Sequence, residues 1–177
     1  MRVPAPADAL RVARALLDIS QRDAAENAKV MQKSVSAAEN AKNVLLETNL
    51  ALVDYYRARG IVFLGEGLIG DTIRRSGARW SGPEGPADTG TARGLLHDEV
   101  NDVSFRAARA LLGKEQSEIA ELAGIGVDAV KGLERGGQTG RAYEILRRWY
   151  EEQGVEFTGW SDLSSRRFYG VGVRWKD

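Results

Sequence analysis

The chain has 177 residues, 43% of them apolar, which suffices for one or two small folded domains. It contains no cysteine, so disulfides and thiolate chemistry are excluded and a reducing cytoplasm is the expected setting. Its 25 Lys and Arg balance 25 Asp and Glu, which excludes a nonspecific polycation. No stretch approaches the roughly 20 apolar residues of a membrane span, and Met1 to Pro6 carries no signal-like apolar run, so no membrane role is expected. The balance hides a distribution: residues 1–80 carry +3, residues 105–177 carry +1 and residues 81–104 carry −4.

In chain order, Leu10, Ala13, Leu16 and Leu17 form one helical stripe, with Asp8 as its expected N-cap. Ser20 opens a second short helix that turns Ala24, Ala25 and Ala28 inward. A third is expected from about Met31 to Asn40, with Val35 and Ala38 inward. A longer helix, Leu45 to Arg59, is expected to bury Leu46, Leu50, Val53 and Tyr56 and to stop at Gly60. Ile61 to Leu64 is a β-type run, and Gly77 to Trp80 a return strand. Between them, Gly65-Glu-Gly67-Leu-Ile-Gly70 matches G-x-G-x-x-G. A dinucleotide site needs a full helix and a second parallel strand within about thirty residues. The linker arrives too soon for that, so these glycines are expected to bend a β-tail.

Ser81 to Gly94 has the glycine, proline and small polar content of a flexible linker. Leu95 to Ser104 is expected to be a lead-in turn capped by Asp102 or Ser104. Helices are then expected near 104–112, 115–123, 127–134 and 141–153, with strands at 155–157 and 169–175. His97 is the only histidine and lies in the linker. No nucleophile–base set or metal cluster can be assembled, so no enzyme activity and no cofactor is expected.

The second half restates the first. Leu10-Arg-Val-Ala-Arg-Ala-Leu-Leu17 returns ninety-five residues later as Phe105-Arg-Ala-Ala-Arg-Ala-Leu-Leu112. At the same shift Gln21 falls on Gln116, Val35 on Val130, Glu39 on Glu134, and Gly77-Ala-Arg-Trp80 on Gly172-Val-Arg-Trp175. Such a period means two copies of one small domain: residues 1–80 and 105–177, joined by the acidic linker 81–104. A lone hairpin is marginal and leaves open edges. The β-tails are therefore expected to self-associate into one sheet about a pseudo-two-fold axis. Tyr55, Tyr56, Trp149 and Tyr150 stand on equivalent final helices as core or interface residues, and Trp80 and Trp175 are candidate anchors between the repeats.

Gln116 to Gly136 reads as two short helices joined by a tight turn. Ala120 is small where the helices cross, and Gly124 sits where the turn takes a positive φ. Ile125, Val130 and Leu133 anchor the third helix and leave Gly126, Val127, Asp128, Lys131 and Gly132 facing outward. With Ala-Arg-Ala-Leu-Leu before it, Ile-Ala-Glu-Leu-Ala-Gly within it and Leu-Glu-Arg-Gly at its end, the segment resembles the lambda-repressor/Cro (XRE) helix-turn-helix family. More narrowly, it resembles small bacterial and phage regulators whose domain ends in Gly-Val-Glu-Phe and a Val-Gly-Val-Arg strand. The resemblance covers most of residues 105–177 and, more loosely, residues 8–80.

The resemblance implies a mainly α fold: two tandem five-helix Cro/repressor-like domains, each followed by a short β-hairpin. It implies a sequence-specific transcriptional regulator of a bacterium, phage or mobile element, acting as a covalent pseudo-dimer on double-stranded DNA. By position, phosphate contacts fall to Gln21 and Gln116. Major-groove reading falls to Gln32, Lys33, Ser34 and Ala37 in the first repeat, and to Val127, Asp128, Lys131 and Gly132 in the second. Gln suits adenine, Lys guanine, and Asp the amino group of cytosine. Three departures bear on this. Lys29 replaces the turn glycine, Asn40-Ala41 replaces Arg-Gly, and Asp128 brings a negative charge toward phosphates. Repeat one is therefore expected to be the better reader, and the operator asymmetric. The competing expectation is a protein-binding module, an antiactivator or antitoxin-like partner that grips another regulator or RNA polymerase.

Overall fold

The computed structural model describes residues 2–68, 70–83, 96–137 and 140–177. In the first repeat, Ala7–Leu17 (α1), Gln21–Ala28 (α2), Gln32–Glu39 (α3) and Leu46–Ala58 (α4) are helices. α1 starts behind Pro6 rather than at Asp8, which sits in the first turn and accepts the Ala9 N–H at 2.7 Å. Ser20 caps α2 in a reciprocal box with Asp23. α4 buries Asn49, Leu52, Val53 and Tyr56. It leaves Leu46 60% exposed and Leu50 only partly covered, which corrects the expected stripe. Asn49 can occupy the core because its carboxamide clamps the N-terminal arm. Oδ1 accepts from Ala5 N at 2.9 Å and Nδ2 donates to Ala5 O at 2.8 Å. A buried amide bonded at both ends avoids the desolvation penalty.

Ile61–Glu66 (β1) and Arg74–Trp80 (β2) pair antiparallel, with Ile61 opposite Trp80. The register slips between Leu64 and Glu66. There a Cβ on Gly65 would lie 2.6 Å from Ile73 Cγ2, so the glycine run makes an irregular hairpin. Asp98–Glu99 (β3) precedes Phe105–Leu112 (α5), Gln116–Ala123 (α6), Val127–Glu134 (α7), Gly140–Glu152 (α8), Val155–Asp162 (β4) and Arg167–Trp175 (β5). Ser104 caps α5, accepting the Ala107 N–H at 3.2 Å. Asp102 instead accepts from Arg147 at 2.7 Å and from the Tyr143 hydroxyl. The fourth helices start ninety-four residues apart, at Leu46 and Gly140, so Tyr143 holds the place on α8 that Asn49 holds on α4, and the fourth helix ties down the lead-in segment of each repeat with different chemistry. Most of the expected flexible linker, residues 84–95, lies outside the described residues. The segment after it is built into the fold: β3 joins the sheet, and His97 stacks on Trp80 with ring centroids 3.7 Å apart.

The turn between the second and third helices has the same shape in both repeats. Gly124 takes φ 71 and Lys29 φ 58, so the lysine is held in a left-handed conformation that disfavours any Cβ. Lys29→Gly is expected to stabilise the fold by about 0.5–1 kcal/mol, read as a raised Tm. An unchanged Tm would mean that no strain resides there.

The expected class is corrected in two respects. Among the described residues each repeat has four helices rather than five. Gly60 and Gly154, at φ 94 and 91, end the fourth helix, and the chain passes straight into a strand. The β segments are also not small tails on a mainly α protein. All five strands form one antiparallel sheet, making a mixed α and β fold. β5 carries β4 along one edge and both β2 and β3 along the other.

β2 meets β5 with Gly77 opposite Arg174, Ala78 opposite Val173 and Arg79 opposite Gly172. These are counterparts at the ninety-five-residue shift. The pairing therefore maps onto itself when the repeats are exchanged, and a pseudo-two-fold axis passes between Ala78 and Val173. α1 and α5 pack on each other about the same axis. Arg11 donates to Ala110 O at 2.8 Å and Leu111 O at 3.1 Å, near the end of α5. Its counterpart Arg106 pairs with Asp18, just past the end of α1. A cation at a helix C-terminus is favoured by the helix dipole. The buried apolar residues of both repeats form one continuous core, running from Leu10 and Tyr56 to Leu111 and Tyr150. The axis is broken by β3, which has no counterpart beside β2 among the described residues, and by the tryptophans that end β2 and β5. Trp175 Nε1 donates to Asp8 at 2.8 Å, whereas Val103 stands at the position equivalent to Asp8, and Trp80 Nε1 is buried without a partner. Among the described residues no helix is long and apolar enough to cross a membrane.

Candidate nucleic-acid interface

Each third helix is pinned from beneath by a buried ion pair. Glu39, the last residue of α3, is 2% exposed and accepts from Arg14 Nε at 2.5 Å and Nη2 at 3.1 Å. The Gln21 amide, at the start of α2, donates to the same carboxylate at 2.8 Å. Arg14 also donates to Ile19 O at 3.0 Å, closing the turn between α1 and α2. The arrangement recurs in repeat two. Arg109 Nε lies 2.5 Å and Gln116 Nε2 2.6 Å from Glu134, and Arg109 Nη1 donates to Lys114 O at 3.1 Å. Burial opposes the Arg109 charge, but the Glu134 carboxylate outweighs it and holds the guanidinium above its ordinary pKa. Beneath each pair lies a fully buried phenol, Tyr56 or Tyr150. Burial pushes both upward in pKa, with Glu39 and Glu134 adding to the effect. Gln21 and Gln116, expected on phosphates, are thus committed first to an internal carboxylate. The sequence shows both glutamines and both glutamates repeating at one shift, but not that they bond to each other.

The two networks open on one cleft of about 480 Å³ that straddles the axis. It is lined by Arg11, Gln21, Glu39 and Asn40 on one side and by Arg106, Lys114, Gln116 and Glu134 on the other. The starts of α2 and α6 and the ends of α3 and α7 therefore come to the same side of the molecule.

On α3, Val35 and Ala38 are buried, Gln32 and Lys33 are exposed, and Ser34 and Ala37 are partly covered. On α7, Val130 and Leu133 are buried, Val127 and Asp128 are exposed, and Lys131 and Gly132 are partly covered. The groove-reading candidates thus lie outside the core, gathered on one face of each helix. The structure adds a neighbour that sequence reasoning misses. The loop after α3 brings Lys42 and Asn43 to a groove of about 370 Å³ shared with Lys33, Ser34 and Ala37. Ala41 and Asn43 flank Lys42 in left-handed backbone, at φ 53 and 44. The only signal in the sequence is the departure Asn40-Ala41 at this point.

Among the described residues no group of His, Asp and Glu could hold a metal ion. No protein-family model, curated protein or solved structure matches the chain.

Proposed function

We propose that the chain is a sequence-specific DNA-binding transcriptional regulator of the lambda-repressor/Cro type, its two halves acting as a covalent pseudo-dimer on double-stranded DNA. The observation that carries this is α3, a helix locked from below by Val35, Ala38 and Glu39 while Gln32 and Lys33 face outward. Such a helix fits a major groove, and polar side chains on its first turns reach base edges. Its counterpart α7 flanks the same cleft across the axis, as the second helix of a dimeric reader does. The starts of α2 and α6, where phosphates are favoured, come to the same side of the molecule, with the amides of Gln21 and Gln116 turned first to Glu39 and Glu134. The protein works by occupying an operator and thereby blocking or recruiting RNA polymerase, in the cytoplasm of a bacterium.

A mobility-shift titration across salt tests this. If about four phosphates are neutralised, affinity falls roughly a hundred-fold between about 50 and 200 mM salt. Flat or absent binding overturns it and favours a second reading, the protein-binding module. For that reading, Leu122 on α6 is 55% exposed, and Val127, next to Asp128 on α7, is 37% exposed. Apolar surface next to a negative charge suits an antiactivator or antitoxin-like grip better than it suits phosphates.

A further inference from the structure

The two halves share a backbone but present different charges to the proposed groove. At positions related by the ninety-five-residue shift, Lys29, Lys33 and Lys42 stand against Gly124, Asp128 and Gly137. All three lysines are exposed, and none forms an ion pair among the described residues. The loop after the third helix closes in the same way in both repeats: Lys42 N donates to Ala37 O and Gly137 N to Gly132 O, each at 2.9 Å. Up to Lys42 and Gly137 the two loops therefore close alike, while their side chains differ. Lys33 and Lys42 line one groove with Ser34, Ala37 and Asn43. In repeat two Asp128 and Gly137 stand where Lys33 and Lys42 line that groove, and Asp128 on the first turn of α7 repels phosphates and accepts only from an amino group such as that of cytosine.

Resting on the DNA-binding reading above, we propose that the halves divide the work. Repeat one alone reads base pairs, through Lys33 on α3 and the Lys42–Asn43 loop as a second point of contact on one half-site. Repeat two contributes only backbone contacts, from Lys131 and Arg135 toward the far end of α7. The ligand is a duplex with a single specified block of base pairs beside an unspecified one.

The full chain is used to select from a random duplex pool, and the selected duplex is footprinted. One specified block is expected, with protection extending past it on one side. Lys33→Ala and Lys42→Ala, both at exposed positions, each weaken binding to the selected duplex roughly ten-fold. Asp128→Ala strengthens it about three-fold and leaves the selected sequence unchanged. A two-fold-symmetric consensus overturns the division of labour while leaving DNA binding intact. So does a loss on Lys131→Ala accompanied by relaxed preference, or a neutral Lys33→Ala. Failure to retain any duplex at low salt removes the DNA function itself and this proposal with it.

Discussion

Alanine at Gly77 or at Gly172 is expected to open the seam between the two repeats. A Cβ at Gly77 would lie 2.1 Å from Val173 O, and one at Gly172 would lie 2.2 Å from Ala78 O. These are backbone atoms of the facing strand, so no rotamer change relieves the contact. Each substitution should cost at least about 3 kcal/mol, the upper part of the overpacking range. For a chain of this length that lowers Tm by roughly 6–12 °C. The two glycines are counterparts on one seam, so their effects should be equal. The double variant should cost little more than either single one, because the first already parts β2 from β5. Urea unfolding of the three variants measures this, and fully additive losses would show that the glycines do not act on a common junction.

Removing Glu39 is expected to have the next largest effect. It is 2% exposed, and its partner Arg14 has a side chain only 25% exposed. Glu39→Ala therefore strands a largely covered guanidinium and the Gln21 amide together, at a cost of about 3 kcal/mol or more. Glu134→Ala should do the same in repeat two, where Arg109 and Gln116 lose their shared acceptor. Replacing both charges at once, as Arg14→Leu with Glu39→Leu, should be milder than Glu39→Ala alone because no orphan charge remains. Denaturation midpoints decide the matter: a near-neutral Glu39→Ala would mean that the pair does not hold α3 in place.

The sequence makes the duplication and the first three helices of each repeat legible, because matching apolar residues recur at a fixed shift and Ser20 and Gly124 mark their ends. α4 is harder to read. A polar residue, Asn49, fills the buried stripe for the sake of two backbone bonds to Ala5, so the eye is drawn to Leu46 and Leu50 instead. The fold class is misread for a similar reason. Strands of seven and nine residues ending in Arg-Trp look like local hairpins. Their joining into one sheet is expected from the duplicated strands, whereas the close approach that Gly77 and Gly172 allow and the addition of β3 have no local signature. The surroundings of the candidate residues are half visible. Gln32, Lys33 and Val127 lie outside the core as their periodicity suggests, whereas the inward bonds of Gln21 and Gln116 and the approach of Lys42 to Lys33 are tertiary facts with no local signature.

Because β2 and β5 belong to a single polypeptide, the partner that each half needs is always present, at an effective concentration of order millimolar set by the tether. Two separate molecules meeting along the same edge would fall apart on dilution. Under the proposed DNA-binding function, no assembly step would precede operator binding, so occupancy would track protein abundance with a Hill slope of one, where a reversible homodimer responds more steeply. On that reading a few copies would already act, and control would fade gradually, without a threshold, as the protein is lost.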